Sequence, residues 1–411
     1  MPAAFTRLAW SNLAAQSAEQ IGLAAAPIVA VLTLGAGASE TGVLHTAQTL
    51  PFLLLSVAAG VLADRMPRRR LMAAAEALRV LALLGIIALA YLGALTLPLL
   101  ALLGFLGATG TVAYSVAGPS LVPALVPREH LAAANDRLEL ARSAAFAAGP
   151  AVAGGLVGLM GATPAFAVAA ALSAAAVILL AGLAEPPRAA PAARRVSRDV
   201  AEGARFVAGH PLLRPVLLTA AVFNTSFFVL QAVYVPYAVH RLGLSATGVG
   251  ATLASYGAGM VVAALLAPRI SRLLAFGTVI AIGPVAGFAA AVVMVLTITT
   301  PSLALAALSF LLVGAGPVLW IISSTTLRQS VTPDHLLGRV SAVITTATWG
   351  CRPIGSAIGA VIGSAFGAET CIVVAAFGFL IQAAIIIASP VRRLAQQPAL
   401  TASAVATHGA R

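Results

Sequence analysis

The chain contains no lysine: all 24 of its basic residues are arginines, against 12 acids, for a net charge of +12. Charge of either sign is scarce, 9% of 411 residues, while 60% are hydrophobic. A soluble protein of this length needs far more charge to cover its surface. Cysteine is scarce too. Cys351 and Cys371 each sit inside an apolar stretch, which excludes a disulfide framework and gives no metal-binding pattern; both read as small buried hydrophobes. Also missing are a G-x-S-x-G element, an H-E-x-x-H helix and a Walker phosphate loop. Neither an enzyme nor an ATP-driven pump is expected, and no cofactor or metal. The positive charge does not imply nucleic acid, because the arginines lie in short breaks between apolar runs and no soluble segment is long enough for a binding module.

What is present is apolar sequence in long runs, with a mean hydropathy of +1.01. Twelve runs are long enough to cross a bilayer, at 8–34, 41–63, 70–93, 97–119, 138–159, 164–184, 212–239, 246–268, 277–299, 302–326, 338–366 and 369–389. Twelve spans of ~20 residues use roughly 240 positions, which the chain has to spare. The fourth is expected to end near Pro119 and Pro123. The N-terminal MPAAFTRLAWSNL has no cleavage signature and reads as the start of an uncleaved first span.

The arginines set the orientation. Alternate breaks carry Arg65, Arg68, Arg69, Arg70, Arg128, Arg137, Arg188, Arg194, Arg195, Arg198, Arg205, Arg269, Arg272 and Arg328, and the tail adds Arg392 and Arg393. The other loops hold only Arg241, beside Glu40 and Glu369. The positive-inside rule then places both termini in the cytoplasm of a multi-pass protein of the cell (inner) membrane. The longest polar stretch, 185–211, begins rich in Pro, Ala and Arg and ends in a segment able to form an amphipathic surface helix. It divides the chain into an N-terminal six-helix bundle over 1–184, a linker over 185–211, a C-terminal bundle over 212–391 and a tail over 392–411.

The halves repeat. A shift of 206 residues brings Pro127 onto Pro333, Leu131 onto Leu337, Gly149 onto Gly355 and Gly161 onto Gly367. A parallel repeat of six spans is a mark of secondary transporters, with the substrate held between the halves.

The break GVLADRMPRRR (60–70) resembles the loop signature of the major facilitator superfamily. SLVPALVPREHLAAAN leading into AAGPAVAGG (147–155), EGARFVAGHPLLRP (202–215) and LRQSVTPDHLLGRV (327–340) are similar to its drug-exporting branch, which includes macrolide-efflux and enterobactin-exporter proteins. The resemblance implies an all-α membrane protein of twelve helices in two pseudo-symmetric bundles. It also implies a cytoplasmic gate at Asp64, Arg65, Arg68 and Arg69, in which Asp64 docks on the N-terminus of span eleven and latches the halves. The second-half break LLAPRISRLLAF has no equivalent acid. Pro67 stands where the general pattern has glycine, so a stiffer loop is expected.

Glu19 lies about eleven residues into span one, ~16 Å deep at 1.5 Å per residue and near the bilayer centre. An ionised carboxylate there is costly, which suits it to take up and release a proton. Asn12, Gln16 and Glu19 form one polar stripe on that helix. Arg352, embedded in span eleven, needs an anion or several carbonyls, and either a substrate or a neighbouring helix can supply them. Tyr114, Ser115, Asn224, Gln231, Trp320 and Ser324 are candidates for a cavity wall, since spans one, four, seven and ten line the cavity in the fold the resemblance implies. Gly149, Pro150, Gly154, Gly158, Gly355, Gly359 and Gly363 are candidates for close, sliding helix contacts between the halves. The combined reading is a monomeric secondary transporter in the lipid bilayer that exports small hydrophobic or amphipathic compounds by proton antiport, with the proton gradient as its energy source. An importer of a small metabolite and a non-transporting membrane sensor are the alternatives.

Overall fold

Runs of twenty or more apolar residues leave the backbone no water to bond in a bilayer, so each segment must satisfy its own N–H and C=O groups, and helix does this. The computed structural model describes residues 2–127, 130–185 and 196–398, and no strand occurs among them. α1 (Ala3–Leu34), α2 (Ala38–Arg65), α3 (Arg68–Tyr91), α4 (Leu97–Leu125), α5 (Leu131–Met160) and α6 (Ala162–Ala181) pack as one bundle. After a short α7 (Val196–Gly209), α8 (Leu213–His240), α9 (Ala246–Leu273), α10 (Phe276–Thr299), α11 (Leu303–Val331) and α12 (Asp334–Ala388) pack as a second. Ten helices among the described residues are long and apolar enough to cross a membrane. α2, 28 residues long, adds an eleventh crossing. α12 adds the twelfth, because it breaks at Gly367 into two limbs.

The internal repeat is visible in the backbone. Gly161, between α5 and α6, has φ 85° and ψ −174°, and Gly367, between the limbs of α12, has φ 82° and ψ 170°. Only glycine adopts such angles without strain. Pro127 and Pro333 each accept an N–H from three residues on, His130 at 3.0 Å and Leu336 at 2.9 Å, as α5 and α12 begin. A side chain at Gly149 would run into Gln20 of α1, and one at Gly355 into Thr225 of α8, the same approach made twice.

Two helix ends show how prolines are accommodated at the breaks. α4 does not stop at Pro119 but runs through Pro123 to Leu125, since a proline deletes one backbone bond and bends a helix without having to end it. Only Met66 and Pro67 separate α2 from α3, and Pro67, at φ −56°, is the N-cap residue of α3. Its fixed φ suits the entry to a helix, so no left-handed turn is required there. The α3 terminus is held by the carboxylate of Glu185, which accepts the N–H groups of Arg68 at 3.1 Å and Arg69 at 3.0 Å. The counterpart helix α10 is held by backbone instead, with Gly277 N–H donating to Leu394 O at 2.8 Å.

α7 is the amphipathic helix expected in the linker. Its apolar face packs Val207 and Phe206 against Leu336 and Val340 of α12, and Glu202 pairs with Arg339 at 2.5 Å. α7 is thus docked on the second bundle. Both described chain ends lie on one face, called here the terminal face; the loops at 35–37, 92–96, 241–245 and 300–302, with Gly161 and Gly367, lie on the opposite face.

Candidate functional site

The bundles meet along α5 with α9 and along α2 with α12 and α8. Glycines let backbones touch along these contacts, at Gly257 near the middle of α9 and at Gly42, Gly154 and Gly158 nearer the opposite face. A Cβ at Gly154 would fall 2.5 Å from Ala246 O and 2.6 Å from Gly250 Cα. One at Gly42 would fall 2.6 Å from Ala360 Cα, and one at Gly158 2.5 Å from the Thr247 hydroxyl. Gly363 packs on Ala38 and Pro150 on Gly250. Of the candidate sliding residues, Pro150, Gly154, Gly158 and Gly363 therefore lie between the bundles. Gly149, Gly355 and Gly359 lie within a bundle, against α1 and α8. Gly42, Gly250 and Gly257 join the interface; none belongs to a conspicuous glycine repeat.

Between the bundles lies a cavity of about 620 Å³, within the range that takes a small organic ligand. Its wall is aromatic on the α8 side, with Phe223, Phe227 and Phe228, and further rings on it include Phe52, Trp320 and Trp349. Glu19, Asn224, Gln231, Trp320, Ser324 and Arg352 are all on it. Asn12, Gln16, Tyr114 and Ser115 are not. The cavity begins at Ala18 of α1, and the stretch of α1 before it is packed against its own bundle. Tyr114 is buried there among Leu8, Ala15 and Leu121, with its hydroxyl 3.4 Å from Ser11 Oγ and beside Asn12. The Ser115 hydroxyl bonds back to Val112 O of its own helix at 2.9 Å. A stripe on one helix fixes a direction, and whether that direction meets a neighbour or a void changes along the helix.

The charges around Glu19 form a cluster that counting arginines in the breaks does not reveal. Arg79 of α3 is buried, and its Nη1 donates to both oxygens of Glu76, at 2.7 and 2.9 Å. The same nitrogen reaches Ala15 O at 3.1 Å, and Nη2 bonds the Thr111 hydroxyl. Glu19 is left with a single contact to Arg79, at 3.9 Å. Glu76 is wholly buried, whereas the Glu19 side chain is 17% exposed, to the cavity. One guanidinium thus serves two carboxylates, and its commitment to Glu76 leaves Glu19 the weaker-held charge. The sequence signal was an acid and an arginine one turn apart inside an apolar span.

Arg142 of α5 is paired with Glu139, with Nε 2.9 Å from Oε2. Arg352 is different. Among the described residues it makes no hydrogen bond or ion pair, its Nε is buried without a partner, and its Cζ lies 5.5 Å from the ring centroids of Phe52, Phe228 and Trp349. Three ring faces favour a cation but leave its donors open. Phe52 and Trp349 themselves meet edge to face across the bundles at 5.2 Å.

On the terminal face, Arg69 donates to Ala181 O at 3.3 Å and Leu183 O at 2.8 Å, and Arg7 to Gly182 O. These arginines cap the C-terminal carbonyls of α6 within one bundle. Arg65 is exposed at the end of α2 and Arg68 is partly buried. The side chain of Asp64 lies outside the described residues, as do Arg128, Arg188, Arg194 and Arg195, so the latch and part of the arginine pattern stay expectations of sequence.

Known proteins agree with this architecture. An uncharacterised MFS-type transporter, y4rN of Sinorhizobium fredii, is 29% identical over 277 residues, 62% of this chain and 64% of that protein. The multidrug efflux pump Tap of Mycobacterium tuberculosis is 25% identical over 361 residues, 84% of each chain. Among solved structures, an inward-facing bacterial homologue of the lysosomal transporter Spinster superposes with a TM-score of 0.74 at 15% identity, covering 96% of this chain and 98% of that one. An inward-facing bacterial homologue of ferroportin gives 0.73 at 17%, covering 94% and 98%. A family profile described as transmembrane secretion effector matches residues 7–407. With two six-helix bundles, a cavity between them and that profile over nearly its whole length, the chain belongs to the transmembrane secretion effector family, a drug-exporting branch of the major facilitator superfamily, and is a multi-pass membrane transporter.

Proposed function

We propose that the protein exports small hydrophobic or amphipathic compounds by alternating access, driven by protons exchanged at Glu19. The observation that carries this reading is the cavity itself: aromatic walls for an apolar body, and one cavity-facing carboxylate that Arg79 holds only at 3.9 Å. The likeness to a protein named a multidrug efflux pump supports the same class of cargo. The arginine-rich terminal face is the cytoplasmic one by the positive-inside rule, with the glycine contacts closing the other side. In this cycle the ionised Glu19 belongs to the loaded state. A proton arriving from outside neutralises it as cargo leaves, and the proton is lost to the cytoplasm when the cavity turns back. A single chain contains both bundles and the whole cavity wall, which supports a monomer as the working unit.

The experiment is gradient-driven transport in proteoliposomes of the purified protein, with a panel of apolar and amphipathic compounds and an imposed pH difference. Wild type should move at least one compound against its gradient, and Glu19→Gln should still bind that compound but lose the dependence on ΔpH. Coupling intact in Glu19→Gln removes the proton assignment; no transport across the panel removes the export reading.

A further inference from the structure

The wall of the cavity carries more charge than an apolar cargo needs, and the charges divide cleanly. Arg79 is matched by Glu76, with Nη1 on both carboxylate oxygens. Arg142 is matched by Glu139 through two nitrogens. Two arginines on the wall, Arg352 from α12 and Arg328 in the last turn of α11, are matched by no acid among the described residues, and Glu19 from α1 has only its 3.9 Å contact with Arg79. Glu19 and Arg352 belong to different bundles and line the same cavity, yet no N–O distance between them falls within 4.0 Å among the described residues. Arg352 Nε and Arg328 Nε are both buried without a partner. The other titratable wall groups are His45 and Tyr256.

A desolvated guanidinium with open donors and no anion is an unfilled site, since burial of an unpaired charge is expensive. Here the rings of Phe52, Phe228 and Trp349 surround the cation without occupying its donors. The carboxylate of Glu19 is the complementary vacancy, an acceptor short of donors. We infer that the cavity takes an amphoteric amphiphile: an acidic group on Arg352, a protonated amine on Glu19, and an aromatic or aliphatic body against the phenylalanines of α8.

This rests on the export reading and names its cargo. It fits exchange with protons, because a proton on Glu19 and the amine of the cargo compete for one carboxylate. It also disfavours a simple lipophilic cation, which would meet two unmatched arginines and one acid. Arg328, towards the terminal face, adds to that bias and favours cargo that leads with its acidic end. Binding one ligand to α1 and α12 together ties the two bundles through the cargo, which is what an occluded state requires.

The test is calorimetric titration of the protein in lipid nanodiscs, with no gradient, using three compounds on one biphenyl scaffold: one bearing an aminomethyl and a carboxylate group, one the amine alone, one the acid alone. The expected order is amphoteric tightest, the acid about tenfold weaker and the amine weakest. Glu19→Gln should bring the amphoteric compound down to the level of the acid. Arg352→Gln should abolish the advantage of both acids over the amine, and Arg352→Lys should restore part of it. Monodisperse elution and an unchanged melting temperature identify variants that have kept their fold. Equal affinities for the three, no binding of the amphoteric compound, or tighter binding of the amine than of the acid overturns the inference. Because binding is read without transport, loss of coupling in proteoliposomes and loss of this preference are separate results.

Discussion

Arg79→Met tests the charge cluster at its centre. The substitution leaves Glu76, none of whose side chain is exposed, without the two bonds at 2.7 and 2.9 Å that neutralise it. Removing one partner of a buried pair costs about 3–5 kcal/mol, because the other charge stays desolvated. The bonds to Ala15 O and Thr111 add about 1 kcal/mol each. Glu76→Gln should cost less, since Arg79 keeps both of those bonds and has Glu19 3.9 Å away as a substitute partner. Replacing both residues, Glu76→Gln with Arg79→Met, removes the buried charges together, and such replacements are close to neutral in well-packed interiors. The double variant should therefore be more stable than Arg79→Met alone, with a coupling of about 2–4 kcal/mol in a double-mutant cycle. Unfolding in mixed micelles, followed by tryptophan fluorescence, gives all four stabilities under one condition. If the double variant falls by the sum of the singles, Arg79 and Glu76 are not energetically paired. Glu19 would then be no more weakly held than Glu76.

Three further outcomes follow from other contacts. Gly154→Val places carbon about 1 Å inside the ordinary 3.5–4.0 Å contact with Gly250 Cα; α5 and α9 must part, and a cysteine at Leu253 in an otherwise cysteine-free chain should become several-fold more reactive to an impermeant maleimide from the face opposite the termini. Unchanged labelling would mean that this contact does not close that face. Glu185→Ala should lower stability by about 1 kcal/mol through the α3 terminus it caps, and Glu185→Gln by less; equal stability of all three would show the cap to be idle. His210 lies outside the membrane spans, its ring tilted against Phe206 with centroids 5.5 Å apart, and its Nδ1 accepts the N–H groups of Leu212 at 3.2 Å and Leu213 at 3.4 Å. Burial holds its pKa below the ordinary 6.5, so the unfolded chain binds the extra proton first and the stabilisation, complete above about pH 6.5, is lost as pH falls through the folded value. The melting-temperature advantage of wild type over His210→Phe should shrink between pH 7.5 and 5, and a constant gap would refute it.

The fold was legible in sequence because membrane folding reduces to a few strong rules. Apolar length sets the spans, and two glycines 206 residues apart needed no neighbour to show that the chain repeats; Gly161 and Gly367 take up the same backbone angles. Pro67 looked like a departure only against a turn, and as the entry to a helix it is ordinary. Site residues were legible where a single helix determines them. Asn224 and Gln231 of α8, Trp320 and Ser324 of α11, and Arg352 of α12 all face the cavity, because over those stretches one side of the helix meets the void. They were not legible where two helices decide. Asn12 and Tyr114 look like lining when α1 and α4 are read separately, yet where these helices touch each other the two side chains meet and close the space. Glu19 read alone is a buried acid in need of a proton. With Arg79 and Glu76 beside it, the question becomes which of two acids one guanidinium holds, and geometry answers it in favour of Glu76. Arg352 is similar: identity alone could not say what a neighbouring helix offers it, and among the described residues α2 and α8 supply ring faces but no hydrogen-bond partner. Functional charge in this protein is thus defined by what remains after structural pairing, a subtraction that requires every partner to be in place.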